Sequence, residues 1–238
     1  MMLKMKIPLY GDNKGFVELV DAVGDDLTVV NSARVSFGKH KSELDKKDKK
    51  LIKYLIKHKH TSTLEHCFVT FRVKVPLFVR SQHHRHRTWS YNEISRRYTD
   101  FDIQFYEPEA FRTQHESNRQ ASNADDLINP VVACPPMTVW KRNADEAVRL
   151  HNKTAKEMFN NLINAGVCRE QARGVLPQSM YTEYYASANL NNILKFIDLR
   201  THEGAQWEIQ EMAKGMLKII EKLYPVTVGA YREIRGND

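Results

Sequence analysis

Residues 67–75 read Cys-Phe-Val-Thr-Phe-Arg-Val-Lys-Val, and their alternation decides the fold class. Val69, Phe71, Val73 and Val75 share one face; Thr70, Arg72 and Lys74 share the other. A period of two marks a strand with one buried face. Pro76 ends it, since a proline cannot donate to the ladder. Upstream, Gly15–Val23 alternates as an earlier strand. Asp26–Phe37 has helical character with Asp25 or Asp26 as its cap. Glu43–His58 is a clearer helix: Leu51, Tyr54, Leu55 and His58 fall at helical spacing, with lysines on the other face.

Downstream, Leu77–His84 forms a short helix leading into an arginine-rich segment. Residues 107–136 look irregular, because the stretch 112–126 is polar and Cys134-Pro135-Pro136 breaks any helix. They read as a long loop partly ordered by a partner. A long helix spans Thr138–Ala165, stopped by Gly166. Arg169–Leu176 is a short helix closed by Pro177, and Ser179–Ala188 is a tyrosine-rich strand. Asn192–Arg200 and Ala205–Leu223 are helices, and Pro225 sets off a short tail. With no repeat or linker, residues 1–238 fit one α+β domain, an antiparallel or mixed sheet packed against several helices. Gly166, Gly174 and Gly204 are isolated, so no glycine-rich dinucleotide fingerprint, and hence no Rossmann module, is expected.

Composition narrows the class. A hydrophobic fraction of 42% excludes a disordered chain. No apolar run approaches the ~20 residues of a membrane span, and the N-terminus lacks a signal-peptide pattern. A cytoplasmic protein is expected, in the host cytoplasm if the source is viral. Cys67, Cys134 and Cys168 are scattered, which argues against disulfides and zinc clusters. A net charge of +7 fits either a lysine-rich solvated surface or an anionic partner.

The arginines separate these readings. Residues 85–98 read Arg-His-Arg-Thr-Trp-Ser-Tyr-Asn-Glu-Ile-Ser-Arg-Arg-Tyr. Guanidinium forks suit phosphate oxygens, aromatic rings stack on flavin or base faces, and serine and asparagine fix orientation. On composition alone, a solvated basic loop, a nucleic-acid patch and a metal site at His83, His84 and His86 stay open.

The order of residues adds more. Arg-His-Arg, then Ser, Asn-Glu, Ser and Arg-Tyr at these spacings resembles the signature of the flavin-dependent thymidylate synthases. Ala33-Arg34-Val35-Ser36 resembles that family's early helix, and 58–66 (His-Lys-His-Thr-Ser-Thr-Leu-Glu-His) its histidine loop. Arg173 with Leu176-Pro177, Leu199-Arg200 and Ala205-Gln206-Trp207-Glu208 also match, so the likeness spans nearly the whole chain, weakest at 107–136.

The resemblance implies reductive methylation of dUMP to dTMP. FAD supplies the hydride, NADPH reduces it, and 5,10-methylenetetrahydrofolate gives the carbon. It implies that Arg85, His86 and Arg87 contact FAD with help from Ser62, while Glu93 bonds at the junction of flavin and nucleotide. Gln82, Ser95, Arg96 and Arg97 would hold dUMP, with Arg85 and Glu93 beside it. Arg173 would meet the uracil or its sugar, His60 and Tyr98 would line the flavin face, and Asn189 and Lys195 would touch the cofactor. Arg200 is the expected catalytic group, set against a bland reading as a helix-end arginine paired with Asp198 or Glu203. Where the family often carries an arginine, this chain has Asn191. No metal, nucleic acid or membrane partner is implied, and the assembly would be a homotetramer whose subunits share sites.

Overall fold

The computed structural model describes residues 5–134 and 141–235. In chain order the elements are β1 (Lys6–Pro8), β2 (Phe16–Val23), α1 (Asp26–Arg34), α2 (Lys46–Lys57), β3 (Phe68–Pro76), α3 (Leu77–His83), β4 (Ser90–Glu93), β5 (Phe111–Gln114) and β6 (Ser122–Ile128). There follow β7 (Val131–Ala133), β8 (Lys141–Asn143), α4 (Ala144–Asn164), α5 (Arg169–Ala172), β9 (Tyr181–Asn189), α6 (Leu190–Thr201), α7 (Trp207–Leu223) and α8 (Pro225–Arg235).

One five-stranded sheet in the order β1-β2-β3-β9-β4 organises the chain. Every pairing in it is antiparallel, so it contains none of the parallel βαβ units of a Rossmann module. The expected α+β architecture is what folds. Val69, Phe71, Val73 and Val75 are all buried, and their face packs against α6 and α7 through Ile193, Phe196, Ile209, Met212 and Met216. The opposite face is polar: Arg72 donates Nε to Glu183 at 2.5 Å and pairs with Glu18 at 3.3 Å. Side-chain period thus sorts core from surface on the central strand.

Local chemistry sets the helix ends. Asp25 caps α1 and Asp45 caps α2, each in a reciprocal capping box. Asp26 is buried and accepts from the backbone of Val226 and Thr227 at 2.8 Å, and from the Thr227 hydroxyl at 2.6 Å. It therefore satisfies the first turn of α8, and the stretch expected as a tail after Pro225 is a helix. Proline is favoured in a helix's first turn, where its missing N–H costs nothing.

The segment expected as irregular, 107–136, instead carries strands. β5 pairs with β6, and β7 pairs with β8. These hairpins are mostly exposed and polar, so no hydrophobic alternation announces them. The helix expected from Thr138 begins at Ala144; Thr138 and Pro135-Pro136 lie outside the described residues.

Candidate functional site

Asn189 precedes α6, and its side-chain oxygen accepts from the backbone of Asn192 at 2.9 Å. This is an N-cap bond. Its buried stripe, including Phe196 and Ile197, fixes the roll of the helix. Positions four apart lie on one face. Phe196 packs edge-on against His86 with ring centroids 4.9 Å apart, and Arg200, one turn on, donates Nε to His86 Nε2 at 3.2 Å. Arg200 Nη2 also donates to the Gln82 carbonyl at 3.3 Å. The bland reading of Arg200 fails here. Asp198 pairs with Arg235 at 2.6 Å instead, and no carboxylate is paired with Arg200 among the described residues.

His86 is pushed down to about 4, by burial first and then by the Arg200 charge, so it is neutral and accepts. Burial and the neighbouring Arg85 lower Arg200 in turn, but an arginine keeps its proton. The result is an uncompensated cation held by neutral partners. Arg85 lies beside it, and Arg85 and Arg87 are both exposed. His83 is fully enclosed, with Nδ1 2.9 Å from the Tyr184 hydroxyl and Trp89 and Phe196 rings each 4.7 Å away. Burial drives its pKa down, so it is a packed neutral histidine rather than a free ligand.

The second half of the arginine segment lies at the other end of β4, a strand not anticipated there. Glu93 accepts from Arg80 Nε at 3.1 Å and from the Thr182 hydroxyl at 2.6 Å. Arg96 is buried and turned into its own loop, donating to the Phe101 carbonyl at 2.5 Å and the Asp102 carbonyl at 3.4 Å. That leaves the half-buried Ser95 and the exposed Arg97 as the more accessible anion-binding groups on this loop. Arg97 meets Glu170 at 3.5 Å, and Arg169 meets Asp100 at 3.4 Å, so α5 docks on this loop. Arg173 follows three residues later, exposed in a 3-10 turn. Tyr98 is 79% exposed.

His60 and Lys195 line a third feature, a cleft of about 820 Å3. Leu55, Leu64 and Leu194 provide apolar surface, while Lys57 and Lys59 add positive charge. His60 stacks over Tyr54 with centroids 5.9 Å apart. Ser62 is exposed nearby in the same loop. Asn191, standing where an arginine is common in the resembled family, is buried and donates to Glu65 at 2.8 Å. It braces the histidine loop at the wall of the same cleft. The cleft thus combines apolar walls with lysines and with the carboxylate of Asp198 at its lining.

The structure therefore brings Gln82, Arg85, His86 and Arg200 together, and separately sets Ser95, Arg97 and Tyr98 beside the α5 segment that leads to Arg173. Sequence reasoning gave no role to Gln206, Glu208, Tyr106 or Arg112, which connect to Gln82 by hydrogen bonds. The match at Gln206-Trp207-Glu208 was the one signal that pointed to them.

None of the three cysteines joins these groups. Cys67 is buried, and burial with Asp25 and Asp26 pushes its thiol up to about 12, which leaves it unreactive. Cys134 is buried, and Cys168 is exposed at the start of α5. Changing all three to alanine should leave a folded protein with most of its turnover, measured against wild type by steady-state assay. Full loss of turnover in a folded Cys134→Ala protein would mean a cysteine nucleophile.

Residues 18–226 match the family described as thymidylate synthase complementing protein. The chain is 41% identical over 224 residues to the flavin-dependent thymidylate synthase of Thermus thermophilus, covering 93% of this chain and 77% of that protein. It is 41% identical over 224 residues to the enzyme of the same name from Kosmotoga olearia, covering 92% and 90%. Among solved structures, a UMP/dUMP methylase from Streptomyces cacaoi bound with 5-Br dUMP superposes with a TM-score of 0.76 at 32% identity, covering 95% of this chain and 97% of the other.

Proposed function

The chain belongs to the flavin-dependent thymidylate synthase family, and from that premise we propose how its residues divide the reaction. The substrate is dUMP and the product dTMP; 5,10-methylenetetrahydrofolate donates the carbon, and NADPH reduces the cofactor FAD. The flavin, when bound, supplies the hydride that no side chain can supply. The chain's own work is binding, orientation and electrostatics.

The observation that carries this reading is Arg200 on neutral His86 and the Gln82 carbonyl, with no carboxylate to cancel its charge. A guanidinium so held is ready for the negative charge that develops on N3 and O4 of a uracil ring when C5 becomes nucleophilic. Gln82 orients the same nucleotide. Arg85, His86 and Arg87 meet the flavin pyrophosphate, with Ser62, His60, Asn189 and Lys195 along the cleft and Glu93 at the junction. Ser95 and Arg97 bind the dUMP phosphate with Arg96 bracing their loop, and Arg173 and Tyr98 lie against the nucleotide.

Within one chain, Arg200 holds His86, four residues before β4, whereas the Ser95–Tyr98 loop follows β4, whose residues Ser90–Glu93 pair along β9. Four strand residues extend about 13 Å. One nucleotide is best enclosed when Arg200 of one subunit meets the Arg97 loop of another, which is why we read the assembly as a homotetramer with shared sites. The work of such an enzyme on free nucleotides and folates places it in the cytoplasm.

The purified protein should carry or take up FAD stoichiometrically, seen as absorbance near ~450 nm. Arg87→Ala should weaken that uptake, and dUMP titration should perturb the flavin spectrum. A colourless protein that binds no FAD by calorimetry overturns the reading.

A further inference from the structure

We propose that Glu208 is a positioning residue that sets which end of the Gln82 amide faces the nucleotide. The inference rests on Gln82 meeting dUMP, as proposed above. Glu208 is almost fully buried. Its Oε1 accepts from Arg112 Nη2 at 2.6 Å and from the Tyr106 hydroxyl at 3.2 Å. Its Oε2 accepts from Gln206 Nε2 at 2.9 Å, and Gln206 Oε1 accepts from Gln82 Nε2 at 2.5 Å. Arg112 lies over the Trp207 ring at 5.0 Å, which fixes its guanidinium from the other side.

The polarity of this chain follows from its first member. An ionised carboxylate has no proton to donate and only accepts. Gln206 must therefore point its amino group at Glu208 and its carbonyl at Gln82. Gln82 must then donate to Gln206, and its own Oε1 makes no hydrogen bond within the chain among the described residues. Gln82 is thus held as an acceptor, suited to a hydroxyl or ring N–H of a nucleotide. The Gln82 backbone carbonyl meanwhile accepts from Arg200. Arg112 comes from β5, so the hairpin region also anchors the relay: its ion pair at 2.6 Å fixes the Glu208 carboxylate in place.

The test is a swap. Glu208→Gln is nearly isosteric but can donate, so both amides downstream are free to flip. It should weaken dUMP binding to the flavin-loaded enzyme about tenfold, the effect of losing about one hydrogen bond, while flavin content stays unchanged. The double variant Gln206→Glu with Glu208→Gln restores an acceptor-only group next to Gln82, and should recover most of the lost affinity. A residue that merely supports the fold would not be rescued by moving its charge two positions. If Glu208→Gln fails to fold, Gln206→Ala breaks the same relay one link nearer Gln82 and should weaken dUMP about as much. Unchanged dUMP affinity in a flavin-loaded Glu208→Gln or Gln206→Ala enzyme overturns the proposal, as does a folded swap no better than Glu208→Gln alone. A flavin-loaded wild-type protein that binds no dUMP overturns the functional reading instead.

Discussion

Replacing Arg200 by alanine should cut methylation of dUMP a hundred- to thousandfold while flavin content stays near normal. Uracil C5 is a poor nucleophile until electron density is pushed toward it. Polarising or removing the N3 proton does this, and a guanidinium near N3 and O4 stabilises the charge that results. A single donor at a developing oxyanion is commonly worth ~3–4 kcal/mol, which is that range in rate. The surroundings of Arg200 favour this role. Its partners are the neutral His86 ring at 3.2 Å and a backbone carbonyl at 3.3 Å, so its positive charge is available to a substrate. Arg200→Lys should rescue little, because an ammonium cannot reproduce the planar fork. Oxidation of reduced flavin by oxygen should persist in both variants, since it needs no activated uracil. The decisive measurement is turnover at saturating dUMP: a normal rate in Arg200→Ala would make Arg200 a binding residue only.

How far this site was readable from sequence varied with how local each interaction is. β3 announced itself because Val69, Phe71, Val73 and Val75 alternate against polar neighbours, and burial of one face is all that such a pattern needs. Asp25 announced a helix start because capping is decided within four residues. β4 gave no such signal. Ser-Tyr-Asn-Glu is a poor strand by propensity, and it forms because β9, some ninety residues later, offers an edge. The hairpins of β5–β6 and β7–β8 escaped because their mostly exposed strands bury no face that could show as alternation. At the site, residue types were legible but their orientation was not. Arg96 and Arg97 are adjacent and chemically identical, yet one is buried on the carbonyls of Phe101 and Asp102 and the other is exposed. Tertiary packing makes that choice. The same holds for Glu208, whose partners come from 96 and 102 residues away.

Mixing two inactive variants should restore activity if sites are shared between subunits. Arg97→Ala removes the phosphate-directed arginine from the loop beyond β4. Arg200→Ala removes the activating cation from the far end of α6. Arg200 and His86 touch within one chain, so the division runs through the arginine segment itself, between its first residues and Ser95–Tyr98. A site built from Arg200 of one subunit and Arg97 of another is intact in a hybrid: the Arg97→Ala chain lends its Arg200, and the Arg200→Ala chain lends its Arg97. Random exchange of equal amounts should leave about a quarter of such sites whole, and turnover should recover to about that fraction of wild type. Each variant alone should stay near background at any concentration. Exchange has to be verified independently, for example by tagging one variant and recovering both chains together. If verified hybrids are no more active than either parent, or if a strictly monomeric wild-type protein turns over fully at low concentration, each chain carries its own complete site.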